Sequence, residues 1–337
     1  MSGVITTVRH VSAAFFPLDK RWQMDESSYS PGLVNLVVWL SGQLPYKEAA
    51  QVLARAGRQL VSGSSIWRRT QAHGARLQAY VESQQIPMLT GGLEIELTDH
   101  DQQQGVSMDG GMVHIQGEGW KEFKVGATFN VEPCELLDAV TQDPIEQTRA
   151  KNIRYTAVLG SVDEFRPAMW TLAWQRGIFN AANSSVTADG ADWIWNLTAM
   201  VFPDSVQIVD WYHACEHLAK ASHDLYPDNP EKALRWFKSQ RTHLWLGHAK
   251  VIARQLDKVG LSQRSGYFHK HHRRMQYQEF RDRGYPSGSG SVESGIKRFK
   301  SRLTGAGMRW QRSSAEQMLI IRGAVLNNTF DELWAAA

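Results

Sequence analysis

The sequence predicts an α/β protein in which a five-stranded sheet is followed by a basic segment made only of helices. Three observations lead to this prediction. Five short apolar runs lie within residues 105–209, and helical patterns separate the last three of them. Residues 231–283 show only helical patterns, with many Lys and Arg. After residue 285, a loop rich in Pro, Gly and Ser leads into an amphipathic helix.

The composition predicts a globular protein of the reducing cytoplasm. At 337 residues the chain is long enough for two domains or for one domain with a large insertion. It has no apolar run of about 18 residues or more, so no membrane-spanning helix is predicted. The first residues lack the charged and apolar pattern of a secretory signal. Its two cysteines, Cys134 and Cys215, cannot form a disulfide framework by themselves.

The N-terminal part of the chain predicts a small helical domain. After an extended segment at residues 1–28, helical patterns cover residues 31–40 and 45–56, and a third begins at Ser65. A short turn before a helix that carries Arg68 and Arg69 resembles a helix-turn-helix. We therefore predict a DNA-binding domain at residues 29–95, with Arg68 and Arg69 as contacts to DNA. Plain packing of three helices is the alternative.

In the central part of the chain, the order of the predicted strands and helices indicates the type of core. The predicted strands are 105–109 (continuing as 112–115 after a bend at glycines 110 and 111), 123–131, 153–159, 185–188 and 206–209. The predicted helices are 164–176, 192–200 and 212–225. Three antiparallel strands followed by two parallel ones, with helices between them, are the order of the ribonuclease H fold. The first part of this core spans residues 100–225, a helical insertion spans 226–285, and closing helices span 286–337.

Charge is strongly segregated along the chain. Residues 231–312 contain 19 Lys and Arg against 5 Asp and Glu, a net charge of +14, which leaves −11 on the remainder of a chain whose total is +3. A solvated helical face usually mixes the two signs, so we interpret this segment as a polyanion-binding surface. The cations predicted to contact DNA phosphates are Lys270, Arg273, Arg274, Lys297, Arg298, Lys300 and Arg302.

The closing amphipathic helix carries a carboxylate among its cations. Its apolar stripe is Val292, Ile296, Phe299 and Leu303, which places Glu293 in the first turn. There the helix dipole favours an anion. A carboxylate would repel the phosphates that the neighbouring cations attract, unless a divalent metal ion stands between them. The alternative is an ordinary pair between Glu293 and a lysine four residues later.

Two further carboxylates are predicted at strand ends, because Asp109 and Asp189 each precede a glycine at the end of an apolar run. Either one alone could simply form a turn. Together with Glu293 they form a set of hard oxygen ligands that suits two Mg²⁺ or Mn²⁺ ions. Two such ions serve in-line attack on a phosphodiester. Asp210, which also ends a strand, stays open as the alternative second carboxylate.

The stretch after the fifth strand contains His213, Cys215 and His217. On a helix the two histidines share a face and the cysteine points elsewhere, so the three cannot bind one ion. Zinc needs three or four convergent ligands, and no zinc site is predicted here. The interpretation is a packed helix start.

Several motifs resemble the DDE transposases of bacterial insertion sequences, most closely the ISKra-type family, with looser similarity to Mutator-type elements. The matching stretches are Phe16-Pro-Leu-Asp19, Ser107-Met-Asp109-Gly-Gly, Ala188-Asp189-Gly-Ala-Asp-Trp-Ile-Trp-Asn196, Phe202-Pro-Asp-Ser-Val-Gln-Ile-Val-Asp210-Trp-Tyr-His213-Ala-Cys-Glu-His-Leu218 and Gly288-Ser-Gly-Ser-Val-Glu293-Ser, continuing to Arg302. They extend over about residues 15 to 312.

The resemblance implies a ribonuclease H-like core and a metal-bound triad of Asp109, Asp189 and Glu293. It implies an enzyme that nicks element ends and transfers their 3′-hydroxyl groups into target DNA. The implied partners are the terminal repeats, the target DNA and further copies of the chain on that DNA, at the nucleoid and away from any membrane. Mutator-type relatives carry Cys-x-x-His after the fifth strand, so a structural role is implied for His213.

One departure from the family leaves other functions open. Family members usually begin with a cysteine-rich, zinc-binding segment, and this sequence shows none before Phe16. The chain is then either an active transposase that recognises DNA through residues 30–75, or a truncated remnant that binds element ends without cutting. A structure-specific nuclease, which would cleave without joining strands, is the third interpretation.

Overall fold

The computed structural model describes residues 29–85, 102–137 and 144–337. The strands are β1 (Gln104–Ile115), β2 (Gly119–Leu137), β3 (Pro144–Leu159), β4 (Ser184–Ala188) and β5 (Val206–Val209). The helices are α1 (Pro31–Gln43), α2 (Tyr46–Ala56), α3 (Gly63–Gln85), α4 (Val162–Gln175), α5 (Asp192–Val201), α6 (Trp211–Leu225), α7 (Pro230–Trp245), α8 (Ala249–Lys258), α9 (Ser262–His271), α10 (Tyr277–Asp282), α11 (Gly290–Leu303), α12 (Arg312–Leu326) and α13 (Phe330–Ala336).

The chain divides into two compact units. The described residues up to Val81 group with Glu316–Ala337 as the terminal unit, and those of Glu82–Ala315 form the central unit. The predicted extended segment at residues 1–28 lies outside the described residues, as do residues 86–101. None of the helices in the described ranges combines the length and the hydrophobicity needed to cross a bilayer.

The central unit is an α/β structure built on one mixed five-stranded sheet, in the order β3-β2-β1-β4-β5. The first three strands pair antiparallel, while β4 runs parallel to both β1 and β5. The predicted order of antiparallel and parallel strands is confirmed. Because β4 joins the sheet beside β1, the C-terminal ends of β4 and β5 lie near the middle of β1.

The prediction that β1 ends at Asp109 and bends at the next two glycines is wrong. β1 continues to Ile115 and stays paired with β2 throughout. The glycines are needed for close packing instead, because a Cβ atom at Gly111 would lie 2.4 Å from the ring of Phe123. What does end near Asp109 is the pairing with β4, whose last partner on β1 is Val106.

The basic segment is helical, as predicted for residues 231–283, and packs into the same core as the sheet. Its helices α7 to α10 contribute Leu244, Phe268 and Tyr277 to a buried cluster that also contains Val106 and Ile208 from the sheet. Burial of these apolar side chains is the main stabilising term that holds the segment in place. The segment therefore has a fixed position against β4 and β5.

The terminal unit has its own apolar core. Helix α1 begins with the Ser30 hydroxyl accepting a hydrogen bond from the Leu33 amide, and Pro31 follows at the first helical position. Val37 and Leu77 pack with Ile321 in a fully buried cluster. The sequence assigned residues 286–337 to the catalytic core as a whole, whereas Glu316–Ala337 group with the N-terminal helices.

The two arginines predicted to contact DNA in α3 differ in their surroundings. Arg68 is exposed. Arg69 is buried at 7% exposure, its guanidinium lies 3.5 Å from the centroid of the Tyr29 ring, and Nη1 donates to the Ser65 carbonyl. Arg69 therefore packs within its unit and does not face solvent as a DNA contact would.

We expect Arg69→Ala to lower the free energy of unfolding by about 1–2 kcal/mol, because it loses a desolvated cation–π contact and a hydrogen bond. Arg68→Ala, at an exposed position, is the matched control and should change the free energy of unfolding by less than about 0.5 kcal/mol. Urea unfolding of both variants measures the difference. Equal stability of the two variants would show that the Tyr29 contact contributes nothing.

Candidate metal centre

Asp109 lies on β1 beyond the last pair with β4, where its side chain is half-buried. Its Oδ1 accepts a 2.6 Å hydrogen bond from the Gly110 amide. Burial raises the pKa of the Asp109 carboxyl, and the charges of Asp189 and Glu293 raise it further, while the Gly110 hydrogen bond and His213 lower it. The structure thus brings Asp189 and Glu293 close enough to Asp109 for their charges to act on its carboxylate.

Asp189 follows β4 directly and is also half-buried. Its Oδ1 accepts a 2.8 Å hydrogen bond from the Ala191 amide, which forms the turn that leads into α5. The sequence left a turn-forming role and a metal-binding role as alternatives for this residue. The geometry supports both, because only Oδ1 takes part in the turn and the carboxylate still influences Asp109.

Glu293 is presented by the first turn of α11, which packs across the sheet. The buried Phe299 of this helix contacts the rings of Phe123 and Tyr155 edge-on or tilted, with centroids 6.4 Å apart. Gly295 allows the close approach, since a Cβ atom there would lie 2.5 Å from the Tyr155 ring. The Tyr155 hydroxyl donates to the Ser291 carbonyl, which fixes the start of the helix. Glu293 is therefore held over β1 by a rigid helix.

Asp210 is the most deeply placed carboxylate of the group, with 0% exposure. It caps α6, because Oδ1 accepts a 2.9 Å hydrogen bond from the His213 amide. Oδ2 accepts from both the amide and the hydroxyl of Ser289, at 2.5 and 2.9 Å. The same hydroxyl lies 3.2 Å from Oε1 of Glu293. Asp210 thus ties the start of α6 to the loop that leads into α11, the helix of Glu293.

The sequence did not predict that His213 belongs to this site. One ligand atom from each of Asp210, His213 and Glu293 lies within 4.8 Å of the others. The only local signal was the spacing Asp210-Trp-Tyr-His213, which puts the histidine in the first turn of the helix that Asp210 caps. The sequence could not show that the loop before α11 would bring Glu293 to the same place.

The residues fit a divalent cation by the chemistry of their donor atoms. Asp109, Asp189 and Glu293 supply oxygen ligands of the kind that Mg²⁺ and Mn²⁺ prefer, and His213 adds an imidazole nitrogen. Burial and mutual repulsion disfavour ionised Asp109 in the protein alone, and a bound cation would remove that penalty. Asp210 fits less well, because both of its oxygens already accept hydrogen bonds from the protein.

The neighbouring His217 and Cys215 are arranged for packing. The His217 ring stacks on Tyr267 with a centroid distance of 3.6 Å and an interplanar angle of 4°. Burial raises the pKa of the Cys215 thiol to about 12, so the thiolate that metals bind is not formed at neutral pH. Burial also lowers the pKa of His217.

The cations predicted to contact DNA fall into two groups. The exposed ones are Lys270, Arg273, Lys297 and Arg298, and Lys300 is half-buried. Lys270 forms an ion pair with Asp192 at the start of α5.

Two of the predicted DNA contacts are packed inside the central unit. Arg302 is 1% exposed and lies over the Trp310 ring. Arg274 is half-buried, lies over the Trp195 ring and donates to Gln207. Packing against the indoles, not phosphate contact, explains these two side chains, since Arg carries a long apolar stem with its charge.

No protein-family model and no curated protein matches the chain. A functional assignment therefore depends on the geometry of the carboxylates and on the distribution of charge.

Proposed function

We propose that this protein is a DNA transposase of the DDE class with a ribonuclease H-like catalytic core. The observation that carries the proposal is that Asp189, at the end of β4, and Glu293, on α11, lie close enough to Asp109 of β1 for their charges to raise its pKa. The strand order β3-β2-β1-β4-β5, with its change from antiparallel to parallel pairing, supports the same core. The exposed cations of α9 and α11 supply charge for a polyanionic substrate.

In the proposed reaction, Asp109, Asp189 and Glu293 would hold Mg²⁺ or Mn²⁺, and His213 would offer an imidazole nitrogen. Two such ions, when bound, activate the attacking oxygen and stabilise the leaving oxygen of a phosphodiester. The protein's own part is positional. Helix α11 and the sheet fix the carboxylates on rigid elements, Asp210 and Ser289 orient Glu293, and the surrounding cations hold the DNA backbone.

The direct test is nicking of a labelled duplex that contains an end of the proposed element, taken from the DNA flanking the coding sequence, with Mg²⁺ or Mn²⁺. A second assay measures whether the released 3′-hydroxyl ends join to a supercoiled plasmid. Nicking with joining supports a transposase, and nicking without joining supports a structure-specific nuclease. Specific binding to the ends without nicking in either metal supports a cleavage-inactive remnant.

The exposed cations lead to a prediction about salt dependence. We expect the double variant Arg273→Ala, Lys297→Ala to bind duplex DNA more weakly whatever its sequence. The slope of log K against log salt should fall by roughly 2, because each lost phosphate contact removes about 0.9 from it. Fluorescence anisotropy over a series of KCl concentrations measures the slope.

Arg166 provides the matched control for this prediction, because its side chain on α4 is 43% exposed, pairs with Asp163 and lies outside the basic segment. Arg166→Ala should leave the slope unchanged. If the double variant keeps the wild-type slope, the DNA follows another surface.

A further inference from the structure

The helical segment places one aromatic ring directly against the candidate metal centre. Tyr267 of α9 contacts the turn after β4, and a Cβ atom at Gly190 would lie 2.5 Å from its Cε2 atom. Cε2 is bonded to the ring carbon that carries the hydroxyl group. Residue 190 must therefore be glycine for the phenol to sit here, immediately beside Asp189.

Three neighbouring rings fix the orientation of Tyr267. His217 stacks on it in parallel at 3.6 Å, Phe268 contacts it edge-on at 5.6 Å, and His271 lies 5.0 Å away at a tilt. Burial lowers the pKa of both His217 and His271, to about 4 for the latter, so neither ring carries a charge at neutral pH. These contacts hold the ring in one orientation.

The Tyr267 hydroxyl is buried, and it makes no hydrogen bond within the part of the chain that the structure describes. Other tyrosines of the central unit differ in this respect. The hydroxyl of Tyr277 donates to the Val209 carbonyl at 3.0 Å, and that of Tyr155 donates to the Ser291 carbonyl at 3.2 Å. A buried hydroxyl without a partner costs free energy, so this one calls for an explanation, and a ligand bound beside it is one.

The hydroxyl remains a donor under all physiological conditions. Burial raises the pKa of Tyr267 well above its ordinary value, and the charges of Asp189, Asp210 and Glu216 raise it further. A protonated phenol carries one O–H donor, and only an acceptor satisfies that donor. A phosphate oxygen that is drawn to this place by a cation on the carboxylates would be a strong one, since its negative charge strengthens the hydrogen bond.

We propose that the Tyr267 hydroxyl donates a hydrogen bond to a phosphate oxygen of DNA bound at the metal centre. This inference rests on the proposed function, because it takes DNA as the substrate. It also gives the helical segment a direct role in the site, beyond its positive charge. Tyr267 would then recognise the scissile or an adjacent phosphate from the side of β4.

The test compares Tyr267→Phe with wild type for affinity toward the end-containing duplex, in MgCl₂ and in EDTA. In MgCl₂ the variant should bind about tenfold more weakly, as expected for loss of a hydrogen bond to a charged group. In EDTA the two proteins should bind equally, because the phosphate is not drawn into the centre. The thermal midpoint should stay the same or rise, because a buried unpaired group has been removed.

Tyr277→Phe is the matched control, since it removes a hydroxyl that has a protein partner. It should lower the thermal midpoint and leave the affinity unchanged at a temperature well below unfolding. Equal affinity of Tyr267→Phe and wild type in MgCl₂, an equal loss in EDTA, or a drop in midpoint like that of Tyr277→Phe would each overturn the inference. Failure of the wild type to nick would count against the proposed function alone, because affinity is measured on the same duplex.

Discussion

The Asp109→Asn variant is expected to lose metal-dependent nicking by more than about 10²-fold. Replacing a partner that merely orients a metal ligand costs about 10–100-fold, and removing a ligand itself should cost more. The fold should be retained, since asparagine is nearly isosteric and its oxygen can still accept the hydrogen bond from the Gly110 amide. Asp189→Asn should behave alike, because the Ala191 amide keeps an acceptor.

The same substitution should stabilise the metal-free protein. The pKa of Asp109 in the folded state lies above its ordinary value of 3.8, so ionisation is less favourable in the folded than in the unfolded chain. Below pH 3.8 this penalty is absent, and it grows as the pH rises through the folded-state pKa. Asparagine never ionises, so the variant should be more stable than wild type at neutral pH, and the advantage should vanish in acid.

Thermal unfolding in EDTA between pH 3 and pH 8 measures this difference in stability. A second series with added MnCl₂ tests whether the metal stabilises each protein. Manganese should raise the midpoint of wild type and have little effect on Asp109→Asn. Asp204→Asn is the control, because Asp204 is exposed. If Asp109→Asn nicks like wild type, or is less stable than wild type at neutral pH, Asp109 is not part of a repulsive metal-binding cluster.

Local sequence predicted the two short parallel strands best. The sequence predicts β4 and β5 to within one residue, because each is an apolar run between clear turn signals. It underestimates β2 and β3, whose outer halves are polar. In those halves the two strands pair with each other and make contacts such as the ion pair between Lys151 and Glu132, 2.7 Å apart. The sequence of one strand does not show which other strand it will pair with. Periodicity therefore found the buried parts of the strands and missed the polar extensions of β2 and β3.

In the candidate site, too, the features with a local sequence signal could be predicted and the long-range contacts could not. Asp109, Asp189 and Glu293 could be proposed because each has a local signal, an Asp-Gly pair or the first turn of an amphipathic helix. The link between Asp210 and Ser289 could not, because it joins residues 79 positions apart. Likewise, Arg302 is buried because it packs against Trp310, and counting charges along the sequence cannot predict that contact.

The Asp210→Ala variant is expected to lower the free energy of unfolding by about 3 kcal/mol. It removes the cap of α6, worth about 1 kcal/mol, and leaves the buried Ser289 amide without its acceptor, which costs a further 1–3 kcal/mol. Asp210→Asn should be milder, since its oxygen can still accept from the His213 amide. Its NH₂ group would face the Ser289 amide, however, so the bond to the loop before α11 is lost.

Loss of that bond should also reduce nicking, because Glu293 then loses its orientation. The Ser289 hydroxyl has one proton and lies between Oδ2 of Asp210 and Oε1 of Glu293, so it can donate to either carboxylate in turn. Ser289→Ala keeps the backbone hydrogen bond and removes only this donor. It should have nearly wild-type stability yet need a higher MnCl₂ concentration for half-maximal nicking, about 10-fold or more. Ser294→Ala, an exposed position on the same helix, is the control.

Comparing Asp210→Asn with Asp189→Asn then decides which residue is the second carboxylate ligand. If Asp210 acts by position, its asparagine variant retains some nicking at temperatures well below its unfolding midpoint, and Asp189→Asn retains none. The opposite result, an active Asp189→Asn and an inactive but folded Asp210→Asn, would place the metal on Asp210, His213 and Glu293, whose ligand atoms lie within 4.8 Å of one another. In that case the Ser289 hydrogen bonds would have to open when the metal binds, and the MnCl₂ dependence of Ser289→Ala would shift to lower concentration instead of higher.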